Sequence, residues 1–336
     1  MPLSDSSETT DRAAHGAPPA SPGGFASLLD ADANASDAPH GPASRRAIIL
    51  IVGATLCFSV LDSMIKYLSQ IYPVTLLVWA RYLVQALALA AWLGPQVGLR
   101  IVRTGNLTSQ LFRGTVLLAS SLCFMSALKV MPLAEVTALN YSTPALVTIL
   151  AVVFLDERMT PVRVAFVGAG LVGMLLIVRP GSGLFQGVAL FALGAAWFYA
   201  MFQVVTRKIA NEDWRTLMFY PALVGTLAMS FVVPFLDWPD AVRWQDVAMI
   251  VVGGLIATFG HFLFLRAFQT ASASAVTPFT YMQLVWATLI GWIVFGTFPD
   301  FWTLVGMAVI TGSGLLIMYH EQRKAKAALA APTVVE

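Results

Sequence analysis

The sequence predicts an all-α integral membrane protein: ten transmembrane helices arranged as a 5+5 inverted-topology repeat. Three observations predict it. Apolar residues make up 58% of the 336-residue chain and charged residues only 11%, with a mean hydropathy of +0.75. The apolar residues gather into ten long runs. The second half of the chain echoes the first at a constant offset of 140 residues.

An ordinary soluble domain carries about a quarter charged residues. The 20 basic and 18 acidic residues here are too few to surface a water-soluble globule. That excludes a soluble enzyme, a nucleic-acid binder and a disordered chain. The net charge of +2 points to no acidic partner. Cys57 and Cys123 both lie in apolar runs and offer neither a disulfide framework nor a metal-ligand spacing, so no metal and no cofactor are expected.

Residues 1–45 are rich in Ala, Ser, Pro, Gly and Asp and hold one aromatic residue, Phe25. Such a segment buries too little apolar surface to offset its ordering entropy. With Asp5, Glu8 and Asp11 at its start it is no signal peptide. It reads as a disordered cytoplasmic tail. From Arg46 to His320 the ten runs follow, separated by short polar turns: 47–68, 74–94, 112–130, 133–155, 161–179, 184–206, 216–236, 247–268, 273–296 and 301–319. A spanning helix needs ~20 apolar residues, and only helices or closed barrels satisfy the backbone in lipid. Runs this long and continuous are helices rather than the ~10-residue alternating strands of a barrel. The domains expected are a first five-helix repeat over 46–180, a second over 183–320, and a basic cytoplasmic C-terminal tail over 321–336.

Placing the N-terminus inside puts 15 Lys and Arg residues on the cytoplasmic side. It leaves four (Lys66, Lys129, Arg179 and Arg243) outside and Arg81 within a helix. That asymmetry predicts both termini in the cytoplasm, in the plasma (bacterial inner) membrane, and an even number of spans. Trp238 and Trp244, in an outer loop, read as membrane-interface anchors.

The 140-residue shift aligns Phe58 with Phe198, Phe124 with Phe264, Ala127 with Ala267, and Val136-Thr137 with Val276-Thr277. It also aligns Tyr141 with Tyr281, Thr148 with Thr288, and Leu175-Leu176-Ile177 with Leu315-Leu316-Ile317. Five spans per half is an odd number, so the second half enters the membrane from the opposite side. Two similar halves in opposite orientations can exchange conformations, which is how secondary transporters alternate access to a site near the midplane.

The stretch Ala127-Leu-Lys-Val-Met-Pro-Leu-Ala134-Glu135 through Tyr141-Ser-Thr-Pro144 resembles the drug/metabolite transporter superfamily. So do Phe154-Leu-Asp156-Glu157-Arg-Met-Thr160-Pro161 and Gly168-Ala-Gly170-Leu-Val-Gly173. More narrowly, the chain resembles the ten-helix group with two EamA domains. The resemblance covers 46–320 and implies spans 1–4 and 6–9 around a central cavity, spans 5 and 10 at the periphery, and transport of a small organic solute. In the second half Gly296-Thr297-Phe298-Pro299-Asp300 stands where the first has its acidic turn.

Few ionisable residues lie inside the runs, and each costs on the order of 3 kcal/mol to insert. At 1.5 Å per residue Asp62 lies about 9 Å deep from the outer side, Arg81 about 11 Å, and Asn140 and Tyr141 about 11–12 Å. Two readings stand for Arg81 and Asp62: a clamp for an anionic solute, or a structural pair that fixes helix contacts. Asn140, Tyr141 and its repeat mate Tyr281 are candidate solute-binding residues, as are Gln283, Trp286 and, on span 6, Trp197 beside Tyr199 and Gln203. Lys66 stands one turn from Asp62, as an i,i+4 partner or an outer anchor. His261 and Glu135 are candidates for proton coupling. His261 reads equally as a hydrogen-bonded interior histidine, and Glu135 as a first-turn acid complementing its helix dipole. Adding 140 to Asp62 and Arg81 gives Phe202 and Pro221, so the charged site belongs to the first half alone.

Pro144, Pro221 and Pro278 lie within spans and free backbone carbonyls. The small residues Ala169 and Gly173 in span 5, and Ala308 and Gly312 in span 10, suit close helix contact within the chain or a homodimer seam through those spans. The function expected is secondary transport of a small-molecule solute through the lipid bilayer, with no enzymatic activity. There is no phosphate-binding Gly-x-x-x-x-Gly-Lys-Ser/Thr loop. The alternatives are a channel or an integral membrane enzyme.

Overall fold

The structure is a computed structural model that describes residues 45–155, 160–179, 187–209, 211–236, 242–271 and 273–330. The N-terminal tail up to residue 44, Asp156-Glu157 and Trp238 lie outside the described residues. Twelve helices account for the ten spans. In order they are α1 (Arg45–Leu68), α2 (Val74–Val97), α3 (Leu107–Val130), α4 (Leu133–Asn140), α5 (Thr143–Leu155) and α6 (Pro161–Val178). The second half holds α7 (Val188–Lys208), α8 (Trp214–Val232), α9 (Trp244–Thr270), α10 (Ala273–Thr280), α11 (Met282–Phe295) and α12 (Phe301–Ala330). Among the described residues nine helices are long and apolar enough to cross a membrane. The tenth span is the fourth in order, where α4 and α5 are split at Tyr141-Ser142. Span 9 breaks in the same place, at Tyr281, between α10 and α11. Helix α12 runs on through the basic segment to Ala330.

The helix contacts repeat under exchange of the halves. Helix α1 packs on α9, and its counterpart α7 packs on α3. Helix α2 also meets α9, as α8 meets α3, and α1 meets α11 as α7 meets α5. Helices α2 and α8, mates of each other, touch directly, and so do α6 and α12.

Individual residues obey the same rule. A Cβ on Gly114 would fall 2.7 Å from Val224 Cβ, and one on Gly254 would fall 2.6 Å from Val84 Cβ. Tyr72 donates its hydroxyl to Asp246 at 2.7 Å; the mated positions, Glu212 and Asn106, also bond at 2.7 Å. The Thr160 side chain caps α6 by accepting the Arg163 N–H, and Asp300 caps α12 by accepting the Thr303 N–H. In the first two cases adding 140 to one partner and subtracting it from the other yields the second contact, and for the caps adding 140 to both does.

Helices α6 and α12 meet backbone to backbone. A Cβ on Gly173 would lie 2.9 Å from the Gly306 carbonyl oxygen, and one on Gly306 would lie 2.6 Å from that of Gly173. Gly170 faces Ser313 in the same seam. Gly173 is thus consumed inside the chain, whereas Gly312 has open space beside it.

At the end of this seam Asp300 pairs with Arg179 at 2.5 Å. The Thr303 backbone N–H first, and then the Arg179 guanidinium, hold the Asp300 carboxyl below its ordinary value. A depressed carboxylate adds stability above its unfolded value and loses it as pH falls through the folded one. Asp300→Ala should therefore lower stability by about 1 kcal/mol at neutral pH. The gap should close below pH ~4, which thermal melts across pH would read.

Candidate functional site

The site begins with two prolines. Pro144 has no N–H to give the Asn140 carbonyl four residues back, and the Thr143 hydroxyl takes that carbonyl instead, at 2.5 Å. The chain turns at Tyr141, whose N–H reaches back to Thr137 and Ala138 at 3.1 Å. In span 9, Pro278 sits three residues before Tyr281, and the Leu284 N–H bonds the Tyr281 carbonyl rather than that of Thr280. The released Thr280 carbonyl accepts the Tyr141 hydroxyl at 2.5 Å. The break in one half is thus sealed by a side chain from the break in the other. The two tyrosine rings lie 5.0 Å apart, tilted by 36°. Because Tyr141 and Tyr281 are each other's repeat mates, this pair sits on the pseudo-two-fold relation itself.

The Tyr141 hydroxyl also lies 3.3 Å from Gln283 Oε1, and Gln283 Nε2 donates to Asp62 Oδ2 at 3.4 Å. Asp62 is buried. The charge of Arg81 reaches both Asp62 and His261, yet among the described residues Arg81 makes no direct ion pair. Its Nη2 donates to Ser121 Oγ at 2.9 Å, and its guanidinium stacks 4.6 Å above the Tyr82 ring. Tyr82 in turn bonds Ser121 at 2.8 Å. His261 Nδ1 is 2.7 Å from the Ala257 carbonyl, with Phe58 edge-on at 4.9 Å. Two buried polar atoms here lack a partner, Arg81 Nε and Asn140 Oδ1, as does Trp286 Nε1 three residues along α11 from Gln283. Buried polar atoms are rarely left unpaired without a reason, and these are two donors and an acceptor that a polar solute could satisfy.

Asp62, Arg81, Tyr141, Tyr281, Gln283 and His261 therefore converge. The direct partner of Asp62 is Gln283, and Lys66 turns away from it. The last carbonyls of a helix have no partner within it, and Lys66 Nζ donates to two of them at the end of α3, Leu128 at 2.9 Å and Met131 at 2.7 Å. Glu135 stands with Lys66, Arg179 and Asp300 at that end of the bundle, with Oε2 buried and unpartnered. Trp197 is 41% exposed and lines an apolar cleft of about 410 Å3 with Leu146, Leu171 and Leu190. The cavity touching Arg81 is far smaller, about 20 Å3, room for about one water. Sequence reasoning missed Ser121 and Tyr82, which hold Arg81. Pro144 and Pro278, flanking the two tyrosines, were the legible signal for the paired breaks. Among the described residues no group of three His, Cys, Asp or Glu side chains gathers to hold a metal.

Residues 45–179 and 186–319 each match the EamA-like transporter family. The chain is 27% identical to an S-adenosylmethionine uptake transporter of Rickettsia bellii, over 67% of this chain and 77% of that one. It is 25% identical to a riboflavin transporter of Vibrio cholerae, over 85% and 97% of the two chains. It is 27% identical to a pseudopaline exporter of Pseudomonas aeruginosa, over 79% and 93%. A solved crystal structure 19% identical in sequence superposes with a TM-score of 0.59 over 82% of this chain and 98% of its own, which establishes a shared fold.

Proposed function

This chain belongs to the EamA-like transporter family, and we propose that it carries a small organic metabolite by alternating access around the Tyr141–Tyr281 pair. The observation that carries this reading is the double helix break at repeat-mated tyrosines, cross-sealed by the Tyr141–Thr280 hydrogen bond. Broken helices at the interface of inverted repeats are where such proteins build solute sites. A solute larger than a water needs the 20 Å3 cavity beside Arg81 to widen. The closed geometry then represents an occluded state, and the two halves part on one side or the other to admit the solute.

Asp62, Gln283 and Arg81 offer a carboxylate, an amide and a guanidinium around one spot, and the tyrosine rings offer apolar faces. Such a set suits a solute with a planar ring and a charged or amide tail. S-adenosylmethionine and riboflavin, the solutes of two relatives, both contain a planar heterocycle. Asn140 and Trp286 supply the remaining acceptor and donor, and Trp197 borders the apolar cleft outside this set. His261 beside Arg81, and Glu135 beside Lys66, are the groups through which protons would couple to transport. Both termini lie in the cytoplasm of a bacterial inner membrane on this reading, and any homodimer through spans 5 and 10 uses the Ala308 and Gly312 face left free.

A thermal-shift screen of the purified protein against heterocyclic vitamins, nucleosides and amino-acid derivatives, followed by uptake into proteoliposomes, tests the proposal. A hit that stabilises the parent but not Arg81→Ala is the expected result. Equal stabilisation of both would remove Arg81 from the site.

A further inference from the structure

Arg113 lies in the second turn of α3, on the side opposite Lys66, with only 4% of its surface exposed. Among the described residues no carboxylate pairs with it. Its Nη1 donates to Gln110 Oε1 at 2.9 Å, its Nη2 to the Leu217 carbonyl of α8 at 2.6 Å, and its guanidinium stacks 4.8 Å from the Phe202 ring of α7. Two donors remain, Arg113 Nε and Nε2 of Gln110, which is itself fully buried. A buried cation without a counter-ion is costly to keep. Topology alone does not call for it, because a cation needed only to set orientation is free to sit in water.

The surroundings give it a purpose. Phe202 stacks on Tyr199, with centroids 5.7 Å apart and planes within 16°. Tyr199 is an electrostatic neighbour of Tyr141. An aromatic row, Tyr199 on Phe202, thus leads to Arg113. The repeat-mated niche is different. Adding 140 to Arg113 gives Gly253, and subtracting it from Leu217 gives Leu77, and both line the small void beside Arg81. One half fills the niche with a cation; the other leaves it open next to the Arg81 guanidinium.

We propose that Arg113 and Gln110 form an oxyanion station, taking the carboxylate or phosphate of the carried solute as it leaves the central site on the Arg113 side. The inference rests on the transport reading above and narrows the solute class to molecules bearing an oxyanion. The two unsatisfied N–H groups are the donors the anion would accept, with the Arg113 charge as counter-ion.

The test uses the full chain in phosphatidylcholine nanodiscs and inorganic phosphate as probe, against sodium chloride at equal ionic strength. Phosphate should raise the Tm of the parent and of Arg81→Met by about 2–4 °C and leave Arg113→Met unchanged. Gln110→Leu, which removes one donor and keeps the charge, should lose most of the shift and stands in if Arg113→Met does not fold. No shift in the parent, or equal shifts in parent and Arg113→Met, overturns the station. So does an Arg113-dependent rise from phosphatidylglycerol in the bilayer without phosphate, because the anion would then belong to a headgroup. The solute screen of the preceding section uses other ligands and another variant, so either proposal can fail alone.

Discussion

Tyr141→Ala is expected to cut the initial rate of solute uptake into proteoliposomes by about 100-fold or more, and Tyr141→Phe by about 3–10-fold. The phenylalanine variant keeps the ring against Tyr281 and loses one hydroxyl. That hydroxyl seals the Thr280 carbonyl released by the span-9 break, and a net hydrogen bond is worth about 0.5–1.5 kcal/mol. Alanine removes the ring as well, which adds the loss of a large apolar contact of about 3 kcal/mol or more. Each 1.4 kcal/mol corresponds to about tenfold, hence the separation between the variants. Thermal melts of both proteins check that the loss is functional. Wild-type rates in Tyr141→Ala would show that the tyrosine pair does not shape the transport path.

Gly306→Leu is expected to prevent recovery of folded protein, whereas Gly312→Leu, six residues along the same helix, should leave yield and Tm close to the parent. At Gly306 the first added carbon meets the Gly173 carbonyl oxygen and Ile177 Cγ1, both at 2.6 Å. The obstacle includes backbone, so relief means driving α6 and α12 apart and losing the whole seam. Overpacking alone costs about 1–3 kcal/mol, and separating the helices costs more. At Gly312 nothing lies within 4 Å. Size-exclusion profiles and melts of the two variants read the difference. A smaller oligomer for Gly312→Leu with an unchanged Tm would place a homodimer on that exposed face.

The ten spans and the mating of Tyr141 with Tyr281 were legible in the chain. The rise per residue also led to the expectation of a common level for Asp62, Arg81 and Tyr141, and Asp62 and Tyr141 share Gln283 as a partner. Hydropathy decides what crosses lipid, and the rise per residue decides depth. Both are properties of a single helix, and a shared offset of 140 residues is a property of the chain alone.

What the tertiary structure alone decided is who meets whom around each helix. Asp62 bonds Gln283, 221 residues away, rather than Lys66 one turn away. Lys66 instead caps a helix end 62 residues on. Trp197 and Tyr199, two residues apart, face an apolar cleft and the aromatic row respectively. Arg113 is buried, and among the described residues no carboxylate pairs with it. The physical reason is azimuth. Each residue turns the helix by about 100°, but in a span apolar all round no single stripe marks the inward face. Which side turns inward is settled only when glycine contacts such as Gly254 on Val84 and Gly173 on Gly306 bring the helices together.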